Sequence, residues 1–388
     1  MKCTKCNHDY PDGYQFCPIC GNKLSLSNIS NHREYATKTT ENATHKQINT
    51  KYGKIQSFHE GLAVVCREEK YGFINLDGEE VVECKYYAAK NFSEALAAVQ
   101  KEYNGRWLFI NYQGEEVISL PDEFSIGGYK DGFSDGLCAI CCYDSENAEL
   151  KYGYIDKQGN VAINAEFDMA FDFYNGLAFV SKNDSDGDSV GYYIDKTGSQ
   201  AFAESYDGGG LDVDFKDGCA IVKPIGKNKR VINKNGECIF EFPTRVFWEH
   251  ADSKYIFYGI KDNHGDYNKV VWLKQENLYQ MRSYSSVVNI WGCFNENLMA
   301  VCSSKNKKWG FINQQWEETL PYIFDEAHNF KEHLAAVLQN GLWGYINTKG
   351  NLIIPYQYNK AEDFSEGRAV VEKDSIIMVV DNEGNRIV

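Results

Sequence analysis

One unit of roughly 35 to 40 residues recurs nine times between residue 51 and the end of this 388-residue chain, and a period of that size specifies a repeat array rather than one domain around one core. The copies align on short landmarks. Each opens with a Phe and a tight turn, followed by a small apolar strand such as Leu62-Ala63-Val64-Val65. A second strand, Tyr71-Gly72-Phe73-Ile74-Asn75, then runs into Asp77-Gly78. Later copies read Trp309-Gly310-Phe311-Ile312-Asn313 and Trp343-Gly344-Tyr345-Ile346-Asn347.

The landmarks have readable chemistry. Phe-x-x-Gly stands at 58–61, 173–176 and 364–367, and Asn297 and His333 take the Gly place in two other copies. These residue types are enriched at positive φ, so a left-handed turn is expected, with Ala95 as the exception. In the strand that follows, Ala63, Ala97, Ala178 and Ala335 hold one place and Val65, Val99, Val180 and Val337 the place two residues on, while Leu lies on the other face. Both faces are apolar, which places the strand between two neighbours.

The second strand ends in Asx-x-x-Gly, as at 75–78, 156–159 and 347–350. The Asx side chain caps a type I turn and the Gly takes the left-handed place of a bulge, making a short hairpin connection. A third short strand follows. The chain then passes through aromatic-x-x-small-x-x-Phe, seen as Tyr86-Ala89-Phe92, Phe167-Ala170-Phe173, Phe324-Ala327-Phe330 and Tyr358-Ala361-Phe364. That spacing predicts a short helical or 3₁₀ turn packed on the next repeat.

Twenty-six Tyr, twenty-two Phe and only seven Pro suit an ordered β-rich protein. No apolar run approaches the ~20 residues that span a bilayer, and Met1-Lys2-Cys3-Thr4 lacks the apolar core of a signal peptide. The expectation is a cytoplasmic protein with no membrane partner. The net charge of -15 is uneven, because residues 1–57 carry eight Lys or Arg against four Asp or Glu. The acidic remainder repels a phosphate backbone, so any contact with nucleic acid belongs to the N-terminal segment.

Four of the thirteen Cys form a separate motif. Cys3-Thr4-Lys5-Cys6 and Cys17-Pro18-Ile19-Cys20 give two CxxC knuckles ten residues apart. Two such knuckles supply a tetrahedron of thiolates, so Cys3, Cys6, Cys17 and Cys20 are read as ligands of one structural Zn²⁺, with no place left for a catalytic water. So short a segment has no apolar core, and metal binding is its folding energy. Residues 1–24 thus form a small zinc ribbon and the Ser-, Asn-, Thr- and Lys-rich residues 25–50 a flexible linker ahead of an array over 51–388. The remaining nine Cys fall mostly on expected strands as small core residues, which suits a reducing compartment.

The Trp/Tyr-Gly-Phe/Tyr-Ile-Asn/Asp core with its trailing Gly, and the Phe-x-x-Gly-Leu-Ala-x-Val lead-in, resemble the WG-repeat family of bacterial proteins. The ribbon ahead of the array is a pairing such proteins show. Trp107-Leu108, Arg230-Val231, Met378-Val379 and Trp316 depart from the pattern. The resemblance implies an all-β array of about nine short three-stranded repeats and a binding role. The phase of the repeat, starting at Tyr52 and ending at Val388, suits either a propeller-like ring or an open superhelix.

Other motifs are weaker. Asp184-Ser185-Asp186-Gly187-Asp188 has the acids of a calcium loop, but Ser189 stands where that loop needs Gly, so a solvated hairpin tip is expected. Cys138 and Cys141 sit three apart on a strand, on opposite faces. No motif of a nucleophile, base or phosphate loop is present, and no enzyme activity is expected. Residues 244–291 hold an eroded repeat rich in aromatics, of which Trp248, Tyr255, Tyr258, Trp272 and Trp291 are candidates for partner binding; core packing is the alternative. The reading is a non-catalytic scaffold that binds a protein partner, with carbohydrate or cell-wall binding through exposed aromatics as the alternative.

Overall fold

The computed structural model describes residues 51–388 except 129–131, 145–148, 209–212, 216–217, 244–245, 252–254, 262–266, 274–277, 281–286, 291–293, 304 and 316. Among the described residues there are nine small antiparallel sheets and no helix. The eighth sheet shows the plan, with Glu326–Ala327, Leu334–Gln339, Leu342–Asn347 and Leu352–Tyr358 side by side in chain order. The eroded repeat keeps this plan, since Val246–Ala251, Tyr255–Lys261, Tyr267–Leu273 and Leu278–Gln280 pair in sequence.

Most sheets have four strands, one more than expected, and the extra strand corrects the sequence reading. The aromatic-x-x-small-x-x-Phe stretch is extended, not helical. Ala88–Ala89 pairs with Ala97–Gln100, and the N–H groups of Tyr87 and Lys90 donate to the carbonyls of Gln100 and Ala98 at 2.7 and 2.8 Å. Glu326–Ala327 pairs with the following strand in the same way. A one-turn helix would leave most of its N–H groups unsatisfied. The free edge of the next sheet supplies acceptors at once, so the extended form wins.

The Trp/Tyr-Gly dipeptide is explained by a bulge. Trp343 pairs with Tyr358 and Tyr345 with Ile354, so the single residue between them, Gly344, faces three on the other strand. A Cβ on Gly344 would stand 2.7 Å from the carbonyl oxygen of Ile354, and on Gly72 2.5 Å from that of Val82. Only Gly lets the bulged strand come so close. Where Leu108 replaces Gly the wide bulge is gone, and Leu108 and Phe109 pair with Ser119 and Ile118 in simple register.

The described parts of the chain form two compact bodies. One comprises 51–57, 65–68 and 288–388, the other 58–64 and 69–287. In each, the cores lie between consecutive sheets. In the first body, Leu334, Ala336, Tyr345 and Ile354 of the eighth sheet meet Ala369, Val371, Met378 and Val380 of the ninth across Tyr358, Ala361 and Phe364. In the second, Leu62, Val64, Phe73 and Val82 meet Ala97, Val99, Leu108 and Ile110 across Tyr86, Ala89 and Phe92. The strand after the Phe-x-x-Gly turn is thus apolar on both faces because it serves two cores, as the sequence implied: Ala335 and Val337 pack in one and Leu334 and Ala336 in the next.

Candidate interaction surface

Phe-x-x-Gly forms a two-residue hairpin turn with both central residues at positive φ, as at Glu60 (55°) and Gly61 (80°) or Glu332 (51°) and His333 (67°). That is the type I′ geometry, which matches the right-handed twist of the strands it joins. Ala95 adopts it too, at φ 70°. The hairpin's own bonds are made by the flanking residues, His59 N–H to Leu62 O at 2.8 Å and Leu62 N–H to His59 O at 3.2 Å. The central N–H groups therefore need acceptors from elsewhere.

An acid before the Gly place supplies them. Glu60 accepts the N–H groups of Glu94 and Ala95, in the next repeat's turn, at 2.7 and 2.9 Å. Glu94 accepts Gly136 N–H at 3.0 Å, and Asp135 accepts Gly176 N–H at 2.6 Å. Glu296 accepts His333 N–H at 2.7 Å, and Glu332 accepts those of Glu366 and Gly367 at 2.6 and 2.7 Å. Residues of the Asx-x-x-Gly turns add to this edge: Tyr112 donates to Glu60 at 2.9 Å, and Lys157 Nζ lies 3.0 Å from Glu94 Oε2.

A second set of clasps holds the tips of the central hairpins. Asp168 accepts Asn183 N–H at 2.6 Å, Asp325 accepts Asn340 N–H at 2.9 Å, and Asn359 accepts Asp374 N–H at 2.7 Å. Lys151 and Lys308 pair with Asp168 and Asp325. Hydrogen bonding from Lys308, partly opposed by burial, holds the Asp325 carboxyl below the usual carboxylate range.

At the second sheet this clasp is replaced. Tyr87 takes the place of Asp168 and Asp325, and its ring lies 5.3 Å from that of Tyr103, edge to face. The two are 40% and 70% exposed. In the third sheet Tyr143 pairs with Leu150 near the hairpin tip, and both side chains are exposed. Large apolar groups exposed together are the usual mark of an interaction surface. The signal for Tyr87 lay in the sequence, as an aromatic where other repeats carry Asp or Asn, but its meaning needed the clasp to be seen.

The sequence candidates fare differently. Tyr258 is 6% exposed and packs against Phe240 and Phe242 at 5.6 Å from each, so it is a core residue and does not face a partner. The eroded repeat keeps its sheet, and its core claims this ring. Trp248, Tyr255 and Trp272 lie on Val246–Ala251, Tyr255–Lys261 and Tyr267–Leu273. Trp291 and the four ligand candidates Cys3, Cys6, Cys17 and Cys20 lie outside the described residues. Cys138 and Cys141 are both buried, and burial, then the neighbouring Cys142, pushes the Cys141 thiol up. Asp184 caps its own hairpin tip by accepting the N–H groups of Asp186 and Asp188, both at 2.9 Å.

Five segments match the family model of the WG containing repeat, at 48–71, 71–107, 152–185, 309–343 and 343–375. Residues 2–24 match a zinc-ribbon domain. Among curated proteins no relative matches the sequence. Solved structures with similarity include BamB from Moraxella catarrhalis, at 10% identity and a TM-score of 0.41 over 86% of this chain and 95% of that one. A streptogramin B lyase matches at 13% identity and a TM-score of 0.30 over 68% and 90%. The acylaminoacyl peptidase of Pyrococcus horikoshii matches at 12% and 0.35 over 74% and 57%. At these scores none of the three bears on what the chain does. Landmarks of the repeat such as Tyr71-Gly72 and Trp343-Gly344, and the two knuckles of the ribbon, nevertheless fall in the matched segments, and the chain carries WG containing repeats that follow a zinc-ribbon domain.

Proposed function

We propose that this protein is a non-catalytic, cytoplasmic binding scaffold whose repeats hold a protein partner, with the zinc ribbon as a second contact module. The observation that carries the reading is the exposed pair Tyr87 and Tyr103, which stands where other repeats use an acid or amide to clasp a hairpin tip. A side chain that gives up a structural contact and gains exposure is the kind on which interface energy concentrates. In the ribbon, Cys3, Cys6, Cys17 and Cys20 would hold one Zn²⁺, which supplies folding energy and no chemistry.

The test is affinity capture with the full chain beside the double variant Tyr87→Ala, Tyr103→Ala. Loss of one defined co-purifying protein at unchanged thermal melting supports the reading; identical capture profiles overturn it for this surface. Carbohydrate binding is the second reading, favoured by the exposed tyrosine pair, because sugar rings pack on tyrosine faces. Retention of the wild-type chain, and not of the double variant, on an immobilised polysaccharide would favour it over the protein partner.

A further inference from the structure

The acids at 60, 94, 135, 296 and 332 all reach in the same direction along the chain, each into the turn of the following repeat. We infer that these five carboxylates form a forward latch: each one holds the left-handed backbone of the next turn, and so fixes how one repeat is set on the one before it.

Three observations converge on this. First, consecutive N–H groups in a turn with positive φ form a concavity that binds anions. The hairpin leaves those groups unused, because its closing bonds run between the flanking residues, as between Lys331 and Leu334 at 2.9 and 3.1 Å. Second, the clasped residues include non-glycines in a costly conformation: Glu94 at φ 53°, Ala95 at 70°, His333 at 67° and Glu366 at 55°. A left-handed non-glycine persists only where its surroundings hold it there. Third, the acceptor is either Glu or Asp, and both lengths reach the same backbone groups, so the carboxylate is what the junctions share. A hydrogen bond to an ionised acceptor is about twice as strong as a neutral one. Part of the array's negative charge is therefore committed to backbone amides, not left to solvent. The inference is independent of the binding reading.

The experiment is amide hydrogen exchange on the full-length chain at residue resolution. Glu60→Ala should speed exchange at the amides of Glu94 and Ala95 about tenfold, the factor that corresponds to ~1.4 kcal/mol. Glu332→Ala should do the same at Glu366 and Gly367 while leaving the amide of His333, which Glu296 holds, at its wild-type rate. The two variants probe separate junctions, so a folding failure in one leaves the other decisive. Unchanged rates at the downstream turn, or an increase spread evenly over the repeat, would overturn the latch.

Discussion

Ser57 Oγ donates a 3.0 Å hydrogen bond to Glu362 Oε2, 305 residues further along the chain. The contact accompanies a larger one, since the short strand Lys54–Ile55 lies against Ile376–Asp381 of the ninth sheet within the same body. Tyr52 and Ile55 are buried, at 2% and 5% exposure, and with Phe58 they repeat the spacing of Tyr358, Ala361 and Phe364. Tyr52→Ala should therefore cost about 3 to 5 kcal/mol, the range for emptying a buried aromatic site, whereas Ser57→Ala should cost under about 1 kcal/mol, as for an exposed hydrogen bond. Denaturant unfolding of both variants checks the contrast.

The bulge opposite Gly344 permits no side chain. Gly344→Ala would bring a Cβ to 2.7 Å from Ile354 O and 3.0 Å from Tyr356 N, and the backbone must shift. We expect a loss of about 1 to 3 kcal/mol, typical of overpacking. Alanine at Gly367, where no atom stands within 4 Å of the added Cβ, should lose only the conformational term of about 1 kcal/mol, because φ there is 74°. Equal losses would refute the steric account of the Trp/Tyr-Gly motif.

Ala95 is a left-handed residue without glycine's freedom, at φ 70°. Ala95→Gly should raise stability by up to about 1 kcal/mol, the relief of the left-handed penalty less the greater entropy of an unfolded glycine. A fall in the denaturation midpoint would show that the methyl group makes contacts worth more than the strain.

Asp363 supplies a pH dependence. Burial pushes its carboxyl up, but hydrogen bonds from His328 Nδ1 at 2.7 Å and Lys331 Nζ at 3.0 Å outweigh this and hold it below the usual range. A carboxyl depressed by folding stabilises the native state fully above its unfolded pKa of about 3.9, and the contribution is lost as pH falls through the folded value. The stability gap between wild type and Asp363→Asn should thus be present at pH 6 and shrink below about pH 4. Urea titrations across that range would expose a constant gap, which would contradict this assignment.

For the ribbon, purified protein should carry one Zn²⁺ per chain by elemental analysis, and Cys3→Ser or Cys20→Ser should remove it. The melting of the repeats should stay as in the wild type. Retained zinc in both variants would show that other ligands hold it.

What could be read from the sequence was what is local. Asn347 and Gly350 form a turn whose hydrogen bonds, 3.0 Å from Asn347 Oδ1 to the N–H groups of Lys349 and Asn351, lie within five residues. The alternation of Ala335 and Val337 needs only a strand to be legible. Tyr86-Ala89-Phe92 misled, because its spacing of three also suits a helix, and the competitor was an edge of another repeat. No local pattern marks the acid at Glu60 for the same reason: it accepts from backbone 34 residues away. For Tyr258 the lost landmarks of its repeat leave a partner site and core packing both open in the sequence, and the sheet and its core decide for packing.

The placement of the cores between sheets has an evolutionary corollary. A segment cut at sheet boundaries, say from Glu326 to Tyr358, carries halves of two different cores and the whole of neither. Its excision is tolerable only if the face of the seventh sheet then fits that of the ninth, which the recurring Ala and Val places make feasible. Growth and shrinkage of such a chain by duplication and deletion should therefore proceed in whole periods at any starting phase, and copies should drift least at the residues that meet a neighbour's surface. In that light the eroded copy around Tyr258 is one whose sequence lost the landmarks while keeping the face it must show to Phe240 and Phe242.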